Sequence, residues 1–243
     1  MALYEDYLTT AELQRWILDA EISWDRIDPL LARAQPDLLD QLRDAALIES
    51  YFPIYTTAMM RAFWDQVDVT AVFSIQLYES YKHFHALNRY LELVDHRPVH
   101  DNEIVALRGR ASGFEVTDPI AELARYMISE HFAAYFFLRV SRQAREPVLA
   151  ELAAYISKDE FRHAQFATDL LEPRVRDEAP ARLRVLETGL RFRHLGHDAI
   201  GHVPIAEKND VTAILTLNRR LKRLCGRSLA EFAKEGINAG ERA

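Results

Sequence analysis

The sequence predicts an all-α fold, a bundle of long helices forming one domain over residues 1–243. Three observations carry this expectation. Only eight of 243 residues are Gly and nine are Pro, too few punctuators for a many-turned β architecture. Ala, Leu, Arg and Glu dominate, and these are strong helix formers. Apolar residues, 49% of the chain, recur at helical steps through long segments. The same composition excludes several classes of function. With 30 Lys+Arg against 37 Asp+Glu, the formal charge of −7 is matched by ample hydrophobes, so the chain folds rather than staying disordered. No apolar stretch approaches the roughly 18–20 residues of a membrane span. An acidic chain repels nucleic acid, which removes that class of partner. Cys225 is the one cysteine and permits no internal disulfide, while Met1 to Asp6 is acidic where a signal peptide would be basic; a reducing cytoplasm is the expected compartment.

Element by element, Thr9-Thr10-Ala11-Glu12 has the form of a capping box and opens a helix to about Trp24. Asp25 to Pro36, with two prolines, reads as a connection. Leu38, Leu39, Leu42, Ala45, Ala46 and Ile48 then recur at helical spacing, and Pro53 should kink this second helix, since the pattern resumes to Trp64. A third helix runs from about Val69 to Val94, followed by a long polar connection from Asp95 to Asp118. Pro119 starts a fourth helix, to about Ala144, and Pro147 a fifth, to about Leu171. Shorter, more basic helices follow Pro173 and end around Val211 to Leu224.

Charge inside long apolar helices is costly and needs an explanation. Glu49, Glu79, Glu130 and Glu160 sit near the middle of the four long helices, with His83 four residues after Glu79 and His163 three after Glu160. Glu49 to Glu79 is 30 residues, Glu130 to Glu160 is again 30, and 51 residues separate the two pairs. In antiparallel hairpins, equal distances out and back return the chain to one height. Two matched hairpins joined by one long crossover therefore bring all six residues to one level, with further helices at the N- and C-terminal ends. This is how ferritin-like four-helix bundles hold two metal ions. Three of the glutamates, Glu49, Glu130 and Glu160, are the expected catalytic carboxylates, and the metal set is Glu49, Glu79, His83, Glu130, Glu160 and His163. Oxygen-rich donors with two imidazoles suit iron, with manganese possible at one position, better than zinc. A single Glu or a single Glu-x-x-His is weak evidence; the ordered set at matched spacing is not.

Other residues carry less. His85 lies about 200° around the helix from His83 and cannot share its face. His131 follows Glu130 directly and points elsewhere, and the arginines around His194, His197 and His202 favour an exposed helix over a second metal site. Nothing marks Cys225 as a nucleophile. Tyr55, Met59, Phe63, Phe136 and Phe137, at helical steps, could line an apolar channel or form ordinary core.

Several segments together resemble the soluble acyl-carrier-protein desaturases of the ferritin-like di-iron superfamily, over roughly residues 20 to 205. Glu49-Ser-Tyr-Phe-Pro53-Ile-Tyr55 is similar to that family's first ligand segment, and Glu79-Ser-Tyr-Lys-His83 with Asn88-Arg-Tyr90-Leu91 to its second ligand helix. Asp159-Glu160-Phe-Arg162-His163 resembles its Asp-Glu-x-Arg-His segment, the most specific of the set. Trp24, with Asp28 four residues later, resembles the segment before the bundle, and the likeness implies an electron path through Trp24, Asp159 and His83. Two positions depart from the family. Ser80 stands where its second-helix Glu would be, with Glu79 one residue earlier, and Ala133 stands where a Thr is common.

The resemblance implies a non-haem di-iron, O2-dependent oxidoreductase that removes hydrogen from an unactivated C–H bond of an acyl chain or similar apolar substrate. The alternatives are a di-iron hydroxylase or N-oxygenase acting on a small metabolite, and a non-catalytic metal-binding bundle. Implied partners are an acyl carrier protein or a free small molecule, an external electron donor such as a ferredoxin, and a second copy in a homodimer. Charge is unevenly spread: residues 174–227 carry 12 Lys+Arg against 6 Asp+Glu, whereas residues 1–173 carry 16 against 28. Arg219, Arg220, Lys222, Arg223 and Arg227 crowd one segment. They either balance acidic neighbours in the fold or offer a face to an acidic carrier.

Overall fold

Two long helical hairpins organise the protein, as described by a computed structural model covering residues 3–111, 113–202 and 210–240; Met1 and Ala2, the start of the acidic N-terminus, lie outside the described residues. Helices α1 (Leu3–Gln14), α2 (Leu18–Glu21) and α3 (Pro29–Arg33) precede them. The first hairpin pairs α4 (Pro36–Ala62) with α5 (Val67–Leu93), and the second pairs α7 (Pro119–Gln143) with α8 (Pro147–Val175). Between them α6 (Asp101–Ala111) lies within the crossover, and α9 (Ala179–Leu190), α10 (Leu195–Ile200), α11 (Val211–Cys225) and α12 (Leu229–Gly240) follow the bundle. The described residues contain no strand, and no helix among them is long and apolar enough to cross a membrane. The architecture is the ferritin-like bundle with one crossover that the carboxylate spacing requires.

Local chemistry explains where each long helix begins. Proline occupies the first turn of α4, α7 and α8, where its missing N–H is no loss. The Asp118 carboxylate accepts from Ala121 N at the start of α7, and the Glu146 carboxylate accepts from Val148 N and Leu149 N at the start of α8. Pro53 lies inside α4 without ending it. Its ring removes the N–H that would bond Glu49's carbonyl, and the adjacent Ser50 carbonyl accepts from the Arg108 guanidinium of α6 at 3.0 and 3.2 Å.

Three expectations need correction. The Thr9–Thr10 segment does not open a helix: α1 already runs through it, and the Thr10 hydroxyl bonds back to Asp6 O at 2.8 Å, the i−4 alternative open to a threonine inside a helix. The helix ends at Gln14 rather than near Trp24. The connection 95–118 is not wholly irregular, because α6 forms within it. Asn88 anchors its start with a pair of hydrogen bonds to Val99.

Apolar packing falls into two clusters, one on each side of a polar layer. One contains Leu38 to Ala46 on α4, Ala86 to Leu91 on α5, Phe136 and Phe137 on α7 and Val148 to Ile156 on α8. The other contains Tyr51 to Met59, Val69 to Phe73, Leu123 to Phe132 and Phe166 to Val175 on the same four helices. The mid-helix charges fall between them. Tyr55, Met59 and Phe63 therefore belong to one cluster and Phe136 and Phe137 to the other, so these five do not line one channel.

Glu146 ties the hairpins together, since it caps α8 and accepts from the buried Tyr90 hydroxyl of α5 at 3.0 Å. Glu146→Ala should remove a cap and leave a buried phenol unpaired, costing about 2–4 kcal/mol in chemical denaturation. Glu146→Gln, which keeps an acceptor, should cost less than half of that.

Candidate metal centre

Each helix of the bundle turns at least one acidic or imidazole residue into the layer between the clusters. Glu49 comes from α4, His83 from α5, Glu130 from α7, and Glu160 with His163 from α8; all five are buried. Glu160 is the centre of the set. Its Oε1 lies 2.9 Å from His83 Nδ1 and its Oε2 2.9 Å from His163 Nδ1. Glu49 Oε2 lies 3.9 Å from His83 Nδ1, and Glu130 Oε2 3.4 Å from His163 Nδ1. Two groups of donors result, Glu49–His83–Glu160 and Glu130–Glu160–His163, each with its donor atoms within 4.8 Å of one another.

The residues fit two metal ions. A first-row ion binds oxygen and nitrogen at about 2.0–2.2 Å, so the donors of one ion lie within roughly 4 Å of each other. Glu49 Oε2, His83 Nδ1 and Glu160 Oε1 are buried and make no well-aligned hydrogen bond, although the last two lie 2.9 Å apart, and these three atoms belong to a single donor group. Buried polar atoms in folded proteins are otherwise nearly always paired.

Around this set lies a layer that holds the imidazoles. His83 Nε2 meets Asp159 Oδ2 at 2.9 Å, and His163 Nε2 meets Glu79 Oε2 at 2.6 Å. Both rings thus present Nδ1 to the centre and give their other nitrogen to a carboxylate, the arrangement that fixes a ligating histidine. Arg162 joins the two carboxylates, with Nη2 2.6 Å from Glu79 Oε1 and 2.9 Å from Asp159 Oδ1. The Lys82 ammonium adds a second cation 3.6 Å from Asp159.

Glu79 consequently stands outside the donor set, contrary to the sequence expectation. On α5 the inward positions are Gln76, Ser80 and His83, spaced four and three apart. Glu79 sits about 100° away, turned to Arg162, His163 Nε2 and the Tyr7 hydroxyl at 3.3 Å. Segments Glu79-Ser80-Tyr81-Lys82-His83 and Asp159-Glu160-Phe161-Arg162-His163 correspond position for position. Ser80 occupies the place matched by Glu160, and it accepts from Gln76 Nε2 at 3.2 Å.

The tryptophan beside Asp159 is Trp16, not Trp24. Its indole N–H donates to Asp159 Oδ2 at 2.7 Å, and its ring lies nearly parallel to His83, with centroids 6.4 Å apart. Trp24 instead donates to Leu18 O under the Arg89 guanidinium. The early end of α1 turns Trp16 inward; a helix continuing to Trp24 would not. Sequence reasoning also missed Tyr7 and Lys82, which carry no motif of their own. The remaining residues sort plainly. His85 is exposed and Ala133 half-buried. His131 bonds Ala213 O, His202 bonds Asp44, and His194, expected on an exposed helix, is buried as the cap of α10.

Electrostatics of this layer follow from burial and contact. Burial, with Glu160 beside it, pushes the Glu49 carboxyl up to about 8, and the same two causes raise Glu130 well above the carboxylate range. Burial alone would raise Glu160 too, but the two imidazoles outweigh it and hold Glu160 well below that range. Burial opposes charge on His83, yet the Asp159 hydrogen bond and the Glu160 charge lift it to about 9; His163 is raised well above its ordinary value. Raised in this way, Glu49, Glu130, His83 and His163 all favour their protonated forms, and an ion entering the site competes with those protons. Uptake of divalent ions should therefore release protons, and affinity should rise as pH increases from 6 towards 9. Calorimetric titration in buffers of different ionisation enthalpy measures the proton count. Glu160→Ala should abolish uptake of both ions, whereas Glu79→Ala should weaken it by about 10–100-fold.

No family model and no curated protein matches the chain. Solved structures do resemble it. An R2-like ligand-binding oxidase variant with an anaerobically reconstituted Mn/Fe cofactor is 15% identical, with a TM-score of 0.61 over 92% of this chain and 93% of that one. A second variant of such an oxidase, with an aerobically reconstituted Mn/Fe cofactor, is 14% identical, with a TM-score of 0.58 over 93% and 85%. At this identity the likeness establishes a shared fold: the protein has the ferritin-like helical bundle of these oxidases.

Proposed function

We propose that the protein is an O2-dependent oxidoreductase with two resident metal ions, iron with manganese possible at one position. The single observation that carries this reading is the buried set of five donors in which Glu160 is shared between two groups. Glu49, His83 and Glu160 would hold one ion, and Glu130, His163 and Glu160 the other. Such a pair supplies reduction of dioxygen and oxidation of strong C–H bonds, chemistry no side chain performs.

The chain's own contribution is positioning, exclusion of water and electron supply. Asp159 and Glu79 keep both imidazoles aimed inward, and Arg162 and Lys82 balance these two carboxylates. The apolar clusters on either side keep bulk water out of the layer. Trp16, Asp159 and His83 form a hydrogen-bonded line from the segment after α1 to the centre, which we assign to electrons arriving from an external donor such as a ferredoxin.

The finer reading is desaturation of an acyl chain, presented by a carrier protein or as a small molecule, by a cytoplasmic homodimer. The resemblance of the three ligand segments favours it. Hydroxylation or N-oxygenation of a small metabolite is the second reading, favoured by Ser80, which leaves one carboxylate fewer around the pair. Mass spectrometry of products from the metal-loaded protein with reductant and oxygen separates them: loss of two hydrogens marks the first, gain of oxygen the second. Absence of oxygen consumption by protein holding two ions per chain would leave only a non-catalytic bundle. For the electron path, Trp16→Phe should slow reduction of the metals by at least about tenfold with metal content retained. Trp24→Phe should match the parent.

A further inference from the structure

Trp16 lies between the buried layer and solvent. With Lys82 it lines an open groove of about 680 Å³ between α1 and α5, and its indole N–H donates to Asp159 Oδ2 at 2.7 Å. Its ring also stacks on half-buried Tyr155, with centroids 5.5 Å apart. A tryptophan so placed carries electrons inward. It is equally an oxidisable group beside a centre assigned to the oxidation of strong C–H bonds.

The unwanted step is a one-electron oxidation. The indole gives one electron to the oxidised metal pair and its N–H proton to the Asp159 carboxylate, leaving an indolyl radical at Trp16 and a carboxylic acid at Asp159. The stacked Tyr155 then lets the missing electron be replaced from the surface, and one oxidising equivalent is lost to the substrate.

Lys82 opposes that step in two ways. Its buried ammonium lies over the face of the Trp16 ring, 4.3 Å from the centroid. A cation there is attracted by the neutral indole and repelled by an indole that has lost an electron. The same ammonium, 3.6 Å from Asp159 Oδ2, makes that carboxylate a poorer acceptor for the indole proton. At 3.6 Å it is beyond hydrogen-bond range, and the Asp159 oxygens already meet Trp16, His83 and Arg162. Charge balance accounts for a cation near this carboxylate, but not for its seat over the ring. A similar arrangement recurs one ring further out, where Lys158 Nζ lies over Tyr155, 5.4 Å from its centroid.

We propose that Lys82 is a positioning residue for the electron path: seated over Trp16, it raises the one-electron potential of the indole, so that Trp16 passes electrons towards the metals without being oxidised by them. The role of Lys82 in turnover rests on the electron path assigned above. Its effect on the indole does not, and is measured apart from any metal chemistry.

The test is laser-flash oxidation of the full chain by photogenerated ruthenium(III) tris-bipyridine, with zinc, which has no redox chemistry, loaded in place of iron or manganese. Trp24→Phe and Trp64→Phe in every sample leave Trp16 as the one source of tryptophan-radical absorption. Lys82→Met keeps the side chain's length and removes its charge, and should speed oxidation of Trp16 by at least about threefold. Lys82→Gln, which keeps an N–H donor beside Asp159, should do the same, and Lys82→Arg should return the rate to that of the parent. Arg15→Gln removes a cation from the same groove and should match the parent, which separates contact with the ring from general attraction of the oxidant. Thermal melting verifies folding, and either neutral variant decides the matter if the other unfolds. Equal rates in the parent and a folded neutral variant, or equal acceleration by Arg15→Gln, would overturn the proposal. Unchanged metal reduction in Trp16→Phe, alongside faster oxidation in the neutral variants, would instead overturn the electron path and leave the effect of Lys82 on the indole standing.

Discussion

Compensation of charge in a buried layer is the constraint on which the rest of this protein depends. Three glutamates and two histidines meet in the middle of an apolar bundle, and an isolated ion there costs several kcal/mol. The bundle meets that cost with two shells of opposite character. On the proposed reading the inner residues exchange protons for cations, so the charge of the layer changes little when ions bind. The outer residues are permanently paired, Asp159 and Glu79 against Arg162 and Lys82. Fixed pairing outside is what leaves the inner shell free to change its occupants.

The fold was legible in the sequence because period and distance are global quantities. Equal intervals of 30 residues between Glu49 and Glu79 and between Glu130 and Glu160 survive small errors in helix boundaries. Glu79 and Trp24 were misassigned because their roles turn on a single helical step and on one helix terminus. A shift of one residue rotates a side chain by about 100°, enough to exchange Ser80 for Glu79 at the inner face. Trp16 is reached only because α1 stops at Gln14, and no strong stop signal such as Gly or Pro stands there.

The C-terminal helices illustrate how a charge count differs from a surface. Five basic residues between Arg219 and Arg227 look alike in the sequence, yet the fold spends them differently. Lys222 closes an ion pair between α11 and the start of α12, and Arg220 holds α11 against α8 through its carbonyl and amide contacts. Commitments of this kind are why the net charge of a segment overstates its capacity to attract a partner.

The outer shell also sets an order of assembly. The hydrogen bond from Tyr7 to Glu79 closes across 72 residues and that from Trp16 to Asp159 across 143. A chain made from its N-terminus exposes both aromatic residues long before α8 exists. Tyr7 of α1 and Trp16 just beyond it therefore leave the ribosome well before α8, and until this segment docks Asp159 and Glu79 lack their aromatic partners. Non-local closure of this kind is slow relative to formation of the individual hairpins. The half-made protein is a pair of helical hairpins with an unfinished centre, and a segment made earlier seals it.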